Sequence, residues 1–331
     1  MHRRDLLKAS TAAITGAALF ATDGAVAARA EMPKPAGRHS PFIETADGTQ
    51  LFVRDWGVGA PVVFLGGWAL TSEIWNYQMA PLSESGLRCI SYDRRGHGRS
   101  SDPGRGYEYD TLADDLGEVL STLDLKGATL VAHSMAGGEV VRYLSRHGSK
   151  RVARIALLGA TLPFLMKTAD NPHGVDPAVF EQGRRNILLK DFPKGLHDNM
   201  RPFVRPETSD ALLGWVERQM LQCSMKALLD CNRALTSTDF RAELPRIALP
   251  TLVIHGDKDV SAPLPLTGQP TASLIPDARL KLYEGAPHGL MLTDAERLNA
   301  DLKEFVGGSS QGMHVRPMKP GSAVISVRSH R

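Results

Sequence analysis

Thr129-Leu130-Val131-Ala132-His133-Ser134-Met135-Ala136-Gly137-Gly138 is the stretch that decides how this chain folds. An apolar run of buried-strand type leads into a serine, small residues follow, and a helical pattern begins. That order describes a nucleophile elbow, the tight strand-to-helix turn that exposes a serine hydroxyl for acyl chemistry. The usual pattern is G-x-S-x-G, whereas Ala132 and Ala136 stand at the two glycine positions. Side chains two before and two after the serine must be small, because a helix packs close behind the turn. Alanine adds one methyl at each place, an overpacking expected to cost about 1–3 kcal/mol at most. Gly137 and Gly138 keep the start of the following helix slim.

Outward from the elbow, Pro61–Leu65, Arg88–Tyr92, Arg154–Leu158, Thr251–His255 and Leu280–Tyr283 are further runs of buried-strand type. Helical patterns lie between them, which predicts a largely parallel sheet covered on both faces. Phe42–Thr45 and Gln50–Trp56 flank Asp47-Gly48, a hairpin signal. Thr111 with Asp114 reads as the capped start of one helix, whose apolar face is Leu112, Leu116, Val119, Leu120 and Leu123. Thr293 with Glu296 reads as the start of the last helix, with Leu298, Leu302, Phe305 and Val306 on its apolar face. Between about 161 and 247 the alternation stops, and helices such as Pro177–Lys190 and Ser209–Leu221 read as a cap inserted between two strands.

The chain has 331 residues, 42% of them hydrophobic and 23% charged, within the range of one large domain with an insertion. Its net charge of +3 sits at the ends. Residues 1–30 carry +2, and Arg316, Lys319, Arg328 and Arg331 give the tail +4, so 31–307 is mildly acidic at −3. An acidic body is no footprint for nucleic acid. Cys89, Cys223 and Cys231 are an odd set that argues against a disulfide framework. Cys223 and Cys231 are expected on one helix, about 12 Å apart and out of disulfide reach.

His2-Arg3-Arg4-Asp5-Leu6-Leu7-Lys8 resembles a twin-arginine export signal, and Thr11–Ala21 is an apolar stretch too short to span a bilayer. Residues 1–30 are therefore expected to be a signal peptide, cleaved after Ala27 or Ala30. That would make the protein periplasmic or secreted; without export it is cytoplasmic. Residues 308–331 lack periodicity and are expected to be a disordered basic tail.

A serine hydroxyl needs a base to take its proton and a third group to orient that base. Ser134 follows the Thr129–His133 run, Asp257 and Asp259 follow Thr251–His255, and His288 follows Leu280–Tyr283. Of eleven histidines only His288, His314 and His330 lie beyond the candidate acids, and the last two sit in the tail. Singly these are ordinary loop polar residues; in the order Ser, acid, His, each just past an apolar run, they predict a catalytic triad. The oxyanion donors are expected to be the backbone N–H of Met135, after the nucleophile, and that of Trp68, in the loop after Pro61–Leu65. Losing one such donor costs about 2.7–4 kcal/mol of barrier.

Gly67-Trp68, Tyr92-Asp93-Arg94-Arg95-Gly96-His97-Gly98-Arg99-Ser100, His133-Ser134-Met135, His255-Gly256-Asp257-Lys258-Asp259 and Ala286-Pro287-His288-Gly289 together resemble the α/β-hydrolase superfamily. More narrowly they are similar to its bacterial aryl esterase, lactonase and non-heme (cofactor-free) chloroperoxidase-perhydrolase branch, from about Pro41 to Gly307. The resemblance implies an eight-stranded, mostly parallel sheet with flanking helices and a helical cap. In its G-x-x-D-x-x-x-P context, Gly256 to Pro263, Asp259 is the acid and Asp257 a loop hydrogen-bonding residue. Three positions depart from the family pattern: the elbow alanines, Gly66 where a histidine usually holds the oxyanion loop, and Ala69 where members noted for perhydrolysis place proline.

The chain has no H-E-x-x-H, no paired C-x-x-C and no P-loop, and Gly96–Ser101 reads as a tight turn rather than a nucleotide fingerprint. No cofactor or metal is expected. The expected activity is that of a serine hydrolase cleaving small or medium esters or lactones, with perhydrolase activity on the side. Expected partners are the small-molecule substrate and the Tat export machinery, with self-association into a homo-oligomer allowed. The contrasting reading is a degenerate hydrolase serving as a binding or scaffold protein. Met166, Met200, Met220 and Met225, with Phe164, Phe180 and Trp215, enrich the cap in apolar groups, either as helix packing or as a pocket roof.

Overall fold

The central apolar runs become strands because each must bury both faces of its pleat, and only a shared sheet between helices allows that; the hairpin and the last run form the sheet's margins. The computed structural model describes residues 40–308; the expected signal peptide and nearly all of the basic tail lie outside them. The strands are β1 (Phe42–Glu44), β2 (Gln50–Trp56), β3 (Ala60–Leu65), β4 (Leu87–Tyr92), β5 (Ala128–His133), β6 (Val152–Leu158), β7 (Thr251–Gly256) and β8 (Ala278–Tyr283). They form one sheet in the order β1-β2-β4-β3-β5-β6-β7-β8. Strands β1, β2 and β4 pair antiparallel, and every later neighbour pair is parallel. Asp47-Gly48 lies in the turn that joins β1 to β2, with Gly48 at φ +82°.

Helices α1 (Asn76–Glu84), α2 (Tyr109–Thr122), α3 (Ala136–His147), α8 (Gly268–Leu274), α9 (Leu290–Thr293) and α10 (Ala295–Gly307) belong to the sheet layers. The pair α2/α3 and the group α1/α9/α10 pack among themselves. Between β6 and β7 the chain leaves the sheet and forms α4 (Pro177–Gly183), α5 (Leu189–Asn199), α6 (Asp210–Met220) and α7 (Met225–Ser237). A π-helical turn, Arg184–Leu188, joins α4 to α5.

Several boundaries differ from expectation. Helix α2 begins two residues before Thr111, with Glu108 at its N-cap position, and Thr111 donates its hydroxyl to the Glu108 carboxylate. The earlier start places Tyr109 in the core, edge-on to Phe240 at 5.0 Å and donating to the Met135 carbonyl at 3.1 Å. Helix α10 begins at Ala295 rather than Thr293: Thr293 closes α9 and donates its hydroxyl to Asp294 Oδ2 at 2.7 Å, and Asp294 also pairs with Arg205 of the cap at 2.7 Å. Cys223 and Cys231 do not share a helix: Ser224 caps α7 by accepting from the Ala227 N–H at 3.2 Å, and Cys223 lies in the turn before it. All three cysteines are free and buried. Strand β8 is not a fully buried run, since as the sheet's edge it leaves Leu280 and Leu282 40% and 46% exposed.

Candidate active site

The carboxyl ends of the parallel strands converge on one place, as open parallel sheets direct their ligands. Strand β3 delivers the loop Gly66–Ala69, β5 delivers Ser134, β6 delivers Gly159, β7 delivers Asp259 and β8 delivers His288. Ser134 takes φ +56°, a left-handed conformation that costs an L-residue roughly 1–2 kcal/mol. Hydrogen bonds hold it there: its N–H donates to the Leu158 carbonyl at 2.9 Å, and its carbonyl accepts from Gly137 at 3.1 Å and Thr161 at 3.3 Å. The turn closes with fully buried alanines at 132 and 136. The glycines that follow are required, since a Cβ on Gly137 would lie 2.8 Å from that of Ala160, and one on Gly138 2.5 Å from the Tyr109 ring.

His288 Nδ1 lies 2.7 Å from Asp259 Oδ2. The other Asp259 oxygen accepts from the N–H groups of Ser261 at 2.9 Å and Ala262 at 2.7 Å, so the carboxylate is fixed from both sides. Gly159, at φ +49°, lets the pair meet: a Cβ there would sit 3.0 Å from Asp259 Oδ2 and 3.2 Å from His288 Nδ1. Asp257 has a separate task, accepting from the Gly285 N–H at 2.6 Å and pinning the loop that carries His288. Ser134, Asp259 and His288 are all buried, and Ser134 and His288 line one cavity of about 540 Å³.

The Gly66–Ala69 loop rests on the elbow. A Cβ on Gly67 would be 3.0 Å from the Ser134 Cβ and 2.8 Å from His133 Nδ1, so only glycine fits. Neither the Trp68 nor the Met135 N–H has an acceptor among the described residues. Arg94 fixes the loop from behind, donating to the Gly66 carbonyl at 2.6 Å and to the Gly67 carbonyl at 3.3 Å. A trans peptide points its N–H opposite to its C=O. The Gly67 carbonyl drawn toward Arg94 therefore turns the Trp68 N–H to the other side. Arg94 and Glu139 form a buried ion pair, with Nε to Oε1 at 2.7 Å. Burial opposes the charge of Arg94, but Glu139 outweighs it and keeps the guanidinium pKa above its usual value. The sequence reading missed this strut. Its one signal was the Arg94-Arg95 pair one residue beyond a buried-strand run.

Two further features escaped that reading. Ala69 is fully buried at φ +62° in a turn closed by the Leu70 N–H on the Gly67 carbonyl at 3.3 Å. Proline, locked near φ −65°, does not fit that turn. His133 packs at 4.5 Å from the His288 ring, and its Nε2 faces the His288 backbone carbonyl at 3.1 Å. A carbonyl only accepts, so Nε2 carries the hydrogen and the buried Nδ1 is left without a partner among the described residues. Burial first, then the neighbouring His288, hold His133 well below the usual imidazole range. Phe203 of the cap stands edge-on to both rings, at 6.3 and 5.8 Å.

The cap's apolar groups divide between the two expected uses. Phe180, Met200 and Met220 line the cavity. Trp215 instead packs edge-on to Tyr77 at 6.1 Å, Phe164 lies under Arg241, and Met225 is 42% exposed. Gly96–Ser101 is the tight turn expected, with the Gly96 N–H on the Ser101 carbonyl at 2.8 Å.

Comparison with known proteins follows the same outline. Residues 60–295 match the family model described as alpha/beta hydrolase fold. A non-heme chloroperoxidase of Kitasatospora aureofaciens is 41% identical over 276 residues, 80% of this chain and 99% of that protein. A bifunctional esterase/perhydrolase of Acinetobacter calcoaceticus is 37% identical over 274 residues, 80% of this chain and 99% of that one. The solved esterase of Exiguobacterium antarcticum superposes with a TM-score of 0.78 at 32% identity, covering 81% of this chain and 99% of its own. Sheet order, strand-borne serine and end-to-end likeness agree, and the chain belongs to the α/β-hydrolase family, in the branch of the non-heme haloperoxidases and their esterase relatives.

Proposed function

We propose that the protein is a serine hydrolase that cleaves small or medium carboxylic esters or lactones through an acyl-enzyme. The observation that carries this reading is the 2.7 Å contact between His288 Nδ1 and Asp259, with Ser134 lining the same cavity as that histidine. Ser134 Oγ attacks the carbonyl carbon and gives its proton to His288 Nε2. Asp259 holds the imidazole in the tautomer that leaves Nε2 free to accept. The Trp68 and Met135 N–H groups receive the oxyanion, and His288 returns the proton to the departing alkoxide. Water then attacks the acyl carbon, His288 takes its proton, and the acid leaves as Ser134 is restored.

The test is Ser134→Ala together with a fluorophosphonate probe. Ester turnover should fall by several orders of magnitude, and mass spectrometry should find the label of the natural protein on Ser134. Unchanged turnover, or no label, would refute the mechanism, and the latter favours a binding or scaffold role. Hydrogen peroxide in place of water would give a peracid from the same acyl-enzyme, the reaction that the name of the Acinetobacter relative denotes. With Ala69 in a turn closed to proline, peracid is the minor product expected. Export by the twin-arginine route rests on Arg3-Arg4 and the stretch after it; periplasmic protein beginning at Ala28 or Glu31 would support it, and full-length cytosolic protein alone would refute it.

A further inference from the structure

The cavity above Ser134 is apolar over most of its wall, with Leu165, Phe180, Leu196 and Leu235 among its lining, but its cap side carries one polar cluster. Arg184 opens the π-helical turn between α4 and α5, and such turns recur at functional sites. Its side chain is only 12% exposed. Arg184 Nη1 donates to Asn232 Oδ1 at 2.9 Å and reaches Thr236 Oγ1 at 3.5 Å, while Nε faces Glu181 at 3.1 Å. Arg184, Asn232 and Thr236 all line the cavity that Ser134 and His288 line from the sheet side.

These bonds leave donors unspent. Among the described residues, Arg184 Nη2 and Asn232 Nδ2 have no acceptor. Glu181 does not cancel the charge, because Arg185 Nε also donates to it at 2.8 Å. Two guanidinium groups share one carboxylate, so the cluster keeps a net positive charge. A partly buried cation with free donors, set in an apolar wall, favours an anionic oxygen acceptor.

We infer that Arg184 and Asn232 bind a carboxylate carried by the acyl chain, and that the preferred substrates are monoesters of dicarboxylic acids. The inference rests on the hydrolase reading above and adds to it the class of acyl group. The ester carbonyl meets Ser134, the methylene chain lies along the apolar wall, and the free carboxylate takes the donors on the cap side.

The test uses monomethyl esters of straight-chain dicarboxylic acids, from succinate to suberate. Each is paired with the methyl ester of the monocarboxylic acid of the same chain length. For at least one length, kcat/KM for the charged ester should exceed that of its neutral partner by on the order of tenfold. The preference should be expressed mainly in KM and shrink as salt is added. In Arg184→Gln the ratio of the two kcat/KM values should fall to about one. Both esters are measured on one preparation, so the ratio is independent of the fraction of folded enzyme, and Asn232→Leu gives a second reading of the same kind. Neutral esters preferred at every length, or a preference that survives Arg184→Gln, would overturn the inference and leave the hydrolase reading standing. Failure to cleave either class would overturn both.

Discussion

Arg94 Nη2 donates to the Gly66 carbonyl at 2.6 Å, from inside the core and with Glu139 against its other edge. The family pattern places a histidine at position 66, and in this chain that side chain is gone. The loop after β3 is held through its own carbonyls by a charge that lies beneath it.

Arg94→Lys keeps the charge but loses the fork that reaches two carbonyls and a carboxylate together. Its kcat should fall at least about tenfold, short of the roughly 10²–10³ that loss of an oxyanion donor costs, with KM little changed. Glu139→Gln leaves the Arg94 charge buried and unpaired, and should lower stability by about 3–5 kcal/mol in urea unfolding. An Arg94→Lys enzyme with natural kcat would show that the strut does not set the loop.

Ala69 is the simplest position to probe in the loop. Glycine there relieves a positive φ at the cost of a floppier unfolded chain, so Ala69→Gly should change stability by less than about 1 kcal/mol and keep most activity. Ala69→Pro demands a φ of opposite sign and should break the turn, reducing ester hydrolysis sharply. Steady-state kinetics with a chromogenic ester checks both, and an active proline variant would contradict the backbone described.

Gly159→Ala pushes a methyl between Asp259 and His288, at 3.0 and 3.2 Å from their contact atoms. The two groups must give by a few tenths of an ångström; as a misplacement of about 1 Å costs about 10²-fold, kcat should fall by about tenfold. The alanine also inherits the φ of +49°, so some stability is lost as well. If kcat is preserved while the melting temperature drops, the glycine serves the fold alone.

His97 is fully buried, and burial first, with Arg94 second, pushes its pKa down to about 3 from the ordinary 6.5. Its Nδ1 donates to the Arg95 carbonyl at 2.9 Å. The unfolded chain takes up a proton near pH 6.5 that the native state refuses, so this histidine's contribution is whole above that pH. It is lost as pH falls from about 6.5 toward 3, at roughly 1.4 kcal/mol per unit. His97→Asn keeps a donor for the Arg95 carbonyl and should flatten the acid limb of a urea-midpoint profile. Superimposable profiles for the two proteins would contradict that account.

The proposed catalytic residues were legible because each follows an apolar run: order and spacing pick out Ser134 and His288 and leave Asp257 and Asp259 open as the acid, the family resemblance selects Asp259, and the structure brings His288 against Asp259 and into one cavity with Ser134. Helix starts were read less well, because capping at Thr111 was overruled by the distant burial of Tyr109 against Phe240, while Thr293 ends the short helix α9 and spends its hydroxyl on Asp294. The supports of the site were not legible at all. That Arg94 holds a loop rather than facing solvent, or that Arg184 faces a cavity, depends on contacts across 27 and 48 residues of chain, which no local pattern encodes.

The indole of Trp68 reaches out of the oxyanion loop and donates its Nε1–H to the Leu228 carbonyl of α7 at 2.9 Å, with Phe192 of α5 against its edge. Roof and anion receptor are thereby riveted together. A cap that swung away as a rigid lid would drag on the residue whose N–H is proposed to receive the oxyanion. Motion of the roof and motion of that loop are therefore coupled through a single indole.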